Sequence, residues 1–197
     1  MKIKKNIMRI ISILCIIICC SCYHKTSSKY VLIISKQINN GGFITINQSK
    51  KICFKTDTNL LYTSLYFKEN DFLKKFDSLD CTPYESFFYV FNNNNISFIL
   101  IWETQYEHFS VTNAYLLRDD LLFKIGELEI VENCNSCEFY RFPIKELAIK
   151  EESNNIEFMF SRDVRYKIGK PDEQIIQAKR LLYIYEIQNR TLKVEKQ

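Results

Sequence analysis

"SFFYVFNNNNISFILIW" (residues 86–102) sets two runs of aromatic and β-branched residues on either side of four asparagines. Runs of this length and composition fit a pleated strand better than a helix. Asparagine tolerates left-handed backbone angles, so Asn92–Asn95 reads as the loop of an antiparallel hairpin. Working outward, similar runs recur at "KYVLIISKQI" (29–38), "LLYTSLYF" (60–67), "GELEIV" (126–131), "IEFMF" (156–160), "VRYKI" (164–168) and "LLYIYEI" (181–187). Ile156, Phe158 and Phe160 point one way while Glu157 and Met159 point the other, and Leu128 and Ile130 alternate with Glu127 and Glu129. That is the period of a sheet with one buried face. The chain has only 4 glycines, so asparagine carries the turns in "NNGG" (39–42), "SNN" (153–155) and "QNR" (188–190), and Arg118-Asp119-Asp120 supplies another.

One helix is expected. "NDFLKKFDSL" (70–79) places Phe72, Leu73, Phe76 and Leu79 at helical spacing behind Asn70 or Asp71 as cap. "KPDEQIIQAK" (170–179) starts as a helix should, but its apolar positions do not repeat at 3.6, so it reads as a loop or a turn of helix. These readings predict a mainly β fold: antiparallel sheets, sandwich-like or a curved sheet, with one short helix.

The N-terminus carries an address. Met1–Arg9 holds Lys2, Lys4, Lys5 and Arg9 with no acid, and Ile10–Cys20 is apolar except for Ser12. A basic stretch, a short apolar run and a small residue make a secretory signal peptide, and the run is too short to span a bilayer. Cys19-Cys20-Ser21-Cys22 resembles the lipobox of bacterial lipoproteins, with Cys19 where that family usually has leucine. The resemblance covers residues 1–22 alone. It implies that Cys22 is acylated on its thiol, that the chain is cut after Ser21, and that the protein is held at a membrane of the cell envelope. Two or more acyl chains anchor stably where one binds only marginally. Residues 1–21 are thus the lipoprotein signal peptide, 22–29 a polar tether ("CYHKTSSK"), and 30–197 a single β-rich domain.

Removing residues 1–21 takes away four basic residues and leaves 23 of each sign. The excess positive charge belongs to the leader, and composition gives no support to a nucleic-acid partner, which needs a basic surface to displace counterions. The cysteines beyond Cys22 are Cys53, Cys81, Cys134 and Cys137; an even number in an exported chain favours disulfides. Cys134–Cys137 is the expected local bridge and Cys53–Cys81 the longer one, with buried free thiols as the alternative. "CNSC" also invites a thiol oxidoreductase reading, but the flanking "GELEIVEN" and "EFYRFP" do not open a helix that could lower a thiol pKa. The cysteines lack zinc-ligand spacing, and neither a metal nor a cofactor is expected.

His24 lies in the tether, leaving His108 as the domain's imidazole. A histidine hydrolase must use it with Ser97, Ser110 or another serine, and no GxSxG elbow supports that. Asp119, Asp120, Glu127, Glu129, Glu151 and Glu152 are candidate carboxylates for glycoside chemistry, but read as turn and solvated-face residues. The 15 Phe and 12 Tyr include same-face rows at Tyr62/Tyr66, Phe87/Tyr89/Phe91 and Tyr183/Tyr185. Such rows pack cross-strand in a core or, where exposed, bind a sugar or a protein partner. The sequence therefore predicts a lipid-anchored interaction module with no catalytic residue assigned. The alternative is an envelope enzyme working through Cys134/Cys137 or His108.

Overall fold

The computed structural model describes residues 27–57, 59, 62–70, 72–79, 83, 85–94, 97–106, 110–131, 141–161, 164–168, 174–178 and 181–196. The chain opens with β1 (Ser27–Gln37) and builds a meander of β2 (Phe43–Thr45), β3 (Lys50–Asp57), β4 (Tyr62–Glu69) and β5 (Phe72–Leu79). A second meander contains β6 (Glu85–Asn93), β7 (Ser97–Gln105), β8 (Ser110–Arg118) and β9 (Leu121–Glu127). After β10 (Ile130–Val131) come β11 (Leu147–Glu152) and β12 (Asn155–Phe160), then β13 (Val164–Ile168), β14 (Gln174–Ala178), β15 (Leu181–Glu186) and β16 (Thr191–Lys196). The fold is mainly β, and every strand pair among the described residues is antiparallel.

Nine strands form one sheet in the order β16-β15-β12-β11-β1-β6-β7-β8-β9; β2–β5 form a second and β10-β13-β14 a third. The large sheet curls until its two edges approach, making it almost a barrel. At the seam Gly126 of β9 lies so near β16 that a Cβ there would come within 2.9 Å of Leu192 Cδ2, and its φ of +147° suits glycine. A bulge between Ala114 and Tyr115 in the β8–β9 ladder sharpens the bend at this point.

Two cores share one wall. Inside the curl, Ile99 and Ile101 of β7 meet Phe158, Phe160, Tyr183 and Tyr185. On the other face of the same strand, Phe98, Leu100 and Trp102 pack against Ile52, Phe54, Leu65 and Phe67 of the four-stranded sheet. Trp102 stacks on Phe88 at 5.8 Å between centroids and meets the edge of Phe54 at 6.0 Å. The continuous apolar run "FILIW" follows from this, since a strand covered on both sides needs no polar alternation. β12, covered on one side, keeps the expected alternation, with Ile156, Phe158 and Phe160 buried.

The helix expected at 70–79 is instead strand β5, paired with β4 through a turn at Asn70 (φ 50°). A bulge opposite Leu65/Tyr66 leaves Phe76 outside the one-to-one register, turned onto Tyr115 at 5.3 Å, and this insertion mimics helical spacing. Phe72 remains 84% exposed, so the apolar stripe of the supposed helix never forms a buried face. The unpaired edge of β4 outweighs local propensity, because strand pairing satisfies its backbone groups. Residues 174–178 are likewise a strand, β14, rather than loop or helix; the described helical structure is one 3-10 turn at Ile144–Glu146. Strand pairing also begins inside the expected tether, with Ser27 opposite Glu152.

Gly126→Ala is expected to destabilise the fold by about 1–3 kcal/mol, through positive φ and overpacking. Adding Leu192→Ala relieves only the contact, so the double variant stays below the parent in urea denaturation.

Candidate functional site

Alternation in the four-stranded sheet sends Ile52, Phe54, Leu65 and Phe67 into the core and the residues between them outward. The outer face carries Lys51, Cys53, Lys55 and Asp57 from β3, Tyr62, Ser64, Tyr66 and Lys68 from β4, and Lys75 from β5. Three lysines lie over rings of that face: Lys51 Nζ is 5.0 Å from the Phe43 centroid, Lys55 5.5 Å from Tyr66, and Lys75 5.0 Å from Tyr62. Each such contact contributes about 0.5–1 kcal/mol at an exposed position. Lys51 stands directly opposite Lys68, a like-charge cross-strand pair that disfavours the sheet. Among the described residues none of these four lysines is in an ion pair. The outer face of this sheet is therefore basic and aromatic.

Beside the β3–β4 connection, at one end of this face, is a shallow slot of about 290 Å³ lined by Lys55, Thr56, Asp57, Tyr62, Ser64 and Tyr66. Ser64 forms part of the floor, 1% exposed, and its Oγ has no hydrogen-bond partner. Its rim is tied down: Asn40 Oδ1 accepts the Thr56 N–H at 2.8 Å, Thr56 and Thr63 share a hydroxyl hydrogen bond of 3.2 Å, and Asp57 Oδ1 accepts the Asn59 N–H at 3.0 Å.

The curled sheet is polar at each end of its interior. The inward row of β7 runs Ser97, Ile99, Ile101, Glu103. Near one end Tyr30 OH donates to Glu151 Oε2 at 2.8 Å and shares a 2.7 Å hydrogen bond with Ser97 Oγ, while Arg118 donates to Glu151 at 2.6 Å. Burial is the largest influence on Tyr30 and pushes its phenol up to about 12. At the other end Glu103, 1% exposed, accepts from the Phe142 N–H at 2.8 Å, Gln105 at 3.1 Å and the Tyr89 hydroxyl at 2.8 Å. Burial pushes its carboxyl above the ordinary range against those donors and Arg141. A smaller cleft of about 190 Å³ lies there, lined by Tyr89 and residues 141–146.

Cys22, His24, Cys81, His108, Cys134 and Cys137 lie outside the described residues, so the lipidation site, the CxxC pair and the histidine have no structural account. Cys53 is a free thiol, half-buried on the outer face of β3 opposite Tyr66. Of the aromatic rows, Tyr89, Phe91, Tyr183 and Tyr185 are core, whereas Tyr62 and Tyr66 face outward and wall the slot. Asp119 and Asp120 form the β8–β9 turn with φ of 49° and 62°, and Asp120 pairs with Lys50. Ser97 bonds to Tyr30. Among the described residues no group of His, Cys, Asp and Glu could hold a metal ion, and no helix is long and apolar enough to cross a membrane. Comparison with protein families, curated proteins and solved structures finds no match.

A carboxyl whose pKa is raised by folding favours the protonated form in the fold. Its contribution to stability is full below its ordinary value of 4.5 and is lost as pH rises through the raised value. Glu103→Gln should therefore flatten the fall in stability between acid and neutral pH, measured by urea denaturation across that range. Glu103→Ala, which strands the Phe142 N–H, should cost about 2–4 kcal/mol.

Proposed function

We propose that this is a lipid-anchored envelope protein, held by acylated Cys22, whose β domain binds an anionic partner on the outer face of the β2–β5 sheet and performs no chemistry. The anchor rests on the lipobox resemblance of Cys19–Cys22. Binding rests on one observation: Lys51, Lys55 and Lys75 over aromatic rings, with Lys68 opposite Lys51, none of them neutralised by a described carboxylate. Holding like charges together on a sheet face costs stability, and a negatively charged partner turns that cost into affinity. β1 begins at Ser27, five residues after Cys22, at the end of the large sheet where Asp119–Asp120 and Ser153–Asn154 make tight turns. Five residues reach roughly 17 Å at most, so an acyl anchor on Cys22 would hold that end of the sheet close to the membrane.

Cys22→Ser is expected to abolish fatty-acid incorporation in the native host and to release the protein from the membrane fraction; unchanged labelling would overturn the anchor. Lys55→Glu with Lys75→Glu should leave the melting temperature within about 2–4 °C, as surface changes do, and abolish the biological phenotype. A phenotype untouched by the double reversal places the function elsewhere on the molecule.

A further inference from the structure

Turns from both sheets gather at one end of the molecule, and β1 starts there. Asn93 donates to Ser28 Oγ at 2.7 Å, which sets the start of β1 beside the β6–β7 turn, and Ser97 of β7 lies opposite Arg118 at the end of β8. Asp119 and Asp120 follow, and Asp120 pairs with Lys50, the first residue of β3. Lys50 stands opposite Glu69, and Glu69 opposite Phe72, so the β4–β5 turn adjoins the β8–β9 turn. Large apolar side chains leave both turns for solvent: Phe72 is 84% exposed, Leu121 58% and Leu73 47%. One such residue is ordinary on any surface, but several on adjoining turns mark a place of contact.

Unneutralised positive charge lies beside them. Lys51 and Lys68 face each other across β3 and β4, Leu73 continues that row on β5, and Lys74 follows it. Lys51, Lys68 and Lys74 enter no ion pair among the described residues, and the contact of Lys51 with the Phe43 ring leaves its charge in place. Nearby acids are engaged, Asp120 and Glu69 with Lys50 and Glu151 with Arg118. Asp119, without a partner among the described residues, offsets one lysine.

A soluble polyanion gains from the lysines and leaves Phe72, Leu73 and Leu121 in water. A bilayer containing anionic lipid takes up both, with phosphates at the lysines and apolar side chains among the headgroups. Reach points the same way, because an anchor on Cys22 lies roughly 17 Å or less from Ser27 at this end. Resting on the anchor and on the reading of the β2–β5 face as a surface for an anionic partner, we propose that this partner is anionic lipid of the anchoring membrane. Phe72, Leu73 and Leu121 enter the headgroup layer while Lys51, Lys68 and Lys74 meet lipid phosphates. The domain then sits on the bilayer by this end instead of swinging on its tether.

The test mixes the full chain, as its native host processes it, with phosphatidylcholine vesicles that contain or lack phosphatidylglycerol and carry bromine on their acyl chains. Tryptophan is introduced at the contact by Phe72→Trp and toward the other end of β5, roughly 20 Å away, by Ser78→Trp. Both positions are exposed, and the native Trp102 is buried. In anionic vesicles the Phe72→Trp protein is expected to emit at shorter wavelength and to be quenched about twofold or more, and the Ser78→Trp protein to be unchanged. Quenching should fall several-fold without phosphatidylglycerol, in high salt, or with Lys51→Gln, Lys68→Gln and Lys74→Gln added. An unquenched Phe72→Trp protein, equal quenching of the Ser78→Trp protein, or quenching indifferent to phosphatidylglycerol overturns the proposal. Tight binding of polyglutamate without quenching in anionic vesicles also overturns it, in favour of a protein partner. If the Phe72→Trp protein stays unquenched while Lys55→Glu with Lys75→Glu abolishes the phenotype, the binding face stands and the membrane contact alone fails.

Discussion

Every residue of β7 from Ser97 to Gln105 is buried, because one set of its side chains fills the curled sheet and the other set meets the β2–β5 meander. Take the meander away and Phe88, Val90, Phe98, Leu100, Trp102, Tyr115 and Leu117 lose their cover. At about 1.5–3 kcal/mol for each large side chain returned to water, that loss exceeds the whole stability of an ordinary domain. Neither layer stands without the other. The two sheets are therefore one cooperative unit, and the basic face is held rigid by the same contacts that close the second core.

The polar residues inside the curl keep this arrangement in register. Tyr30, Ser97, Arg118 and Glu151 come from β1, β7, β8 and β11, so their hydrogen bonds tie strands from both halves of the large sheet. Glu103 does the corresponding work at the far end, where it holds the backbone of Phe142. Burying a carboxylate is unfavourable unless it is well bonded, and Glu103 has three donors. Slipping β7 by one residue would aim Glu103 at the apolar layer and Trp102 into the curl, so the polar ends penalise that alternative strongly.

The strand content was legible because β12 and the 86–102 hairpin obey simple local rules. What escaped was set by distant partners. Phe72, Phe76 and Leu79 have helical spacing in any window of sequence; only the edge of β4 and a bulge make them a strand. Glu103 and Arg118 carried a faint signal, polar residues bounding the apolar runs of β7 and β8, but nothing local pairs Arg118 with Glu151, 33 positions away. Of the site, Tyr62 and Tyr66 were visible as a same-face row. The lysines around them were not, since composition does not say where charge collects and Lys51, Lys68 and Lys75 come onto one face only when three strands align.

β1 occupies a telling place in the large sheet. Its first residues pair with β11 on one side and its later ones with β6 on the other, so it joins the two halves of the large sheet. Tension applied at Ser27 along the strand would pull those ladders sideways, loading many hydrogen bonds at once instead of unzipping them singly. A pull on the chain at Ser27 thus enters along a strand that hands the load from the β11 ladder to the β6 ladder, so both halves of the large sheet take it up in turn.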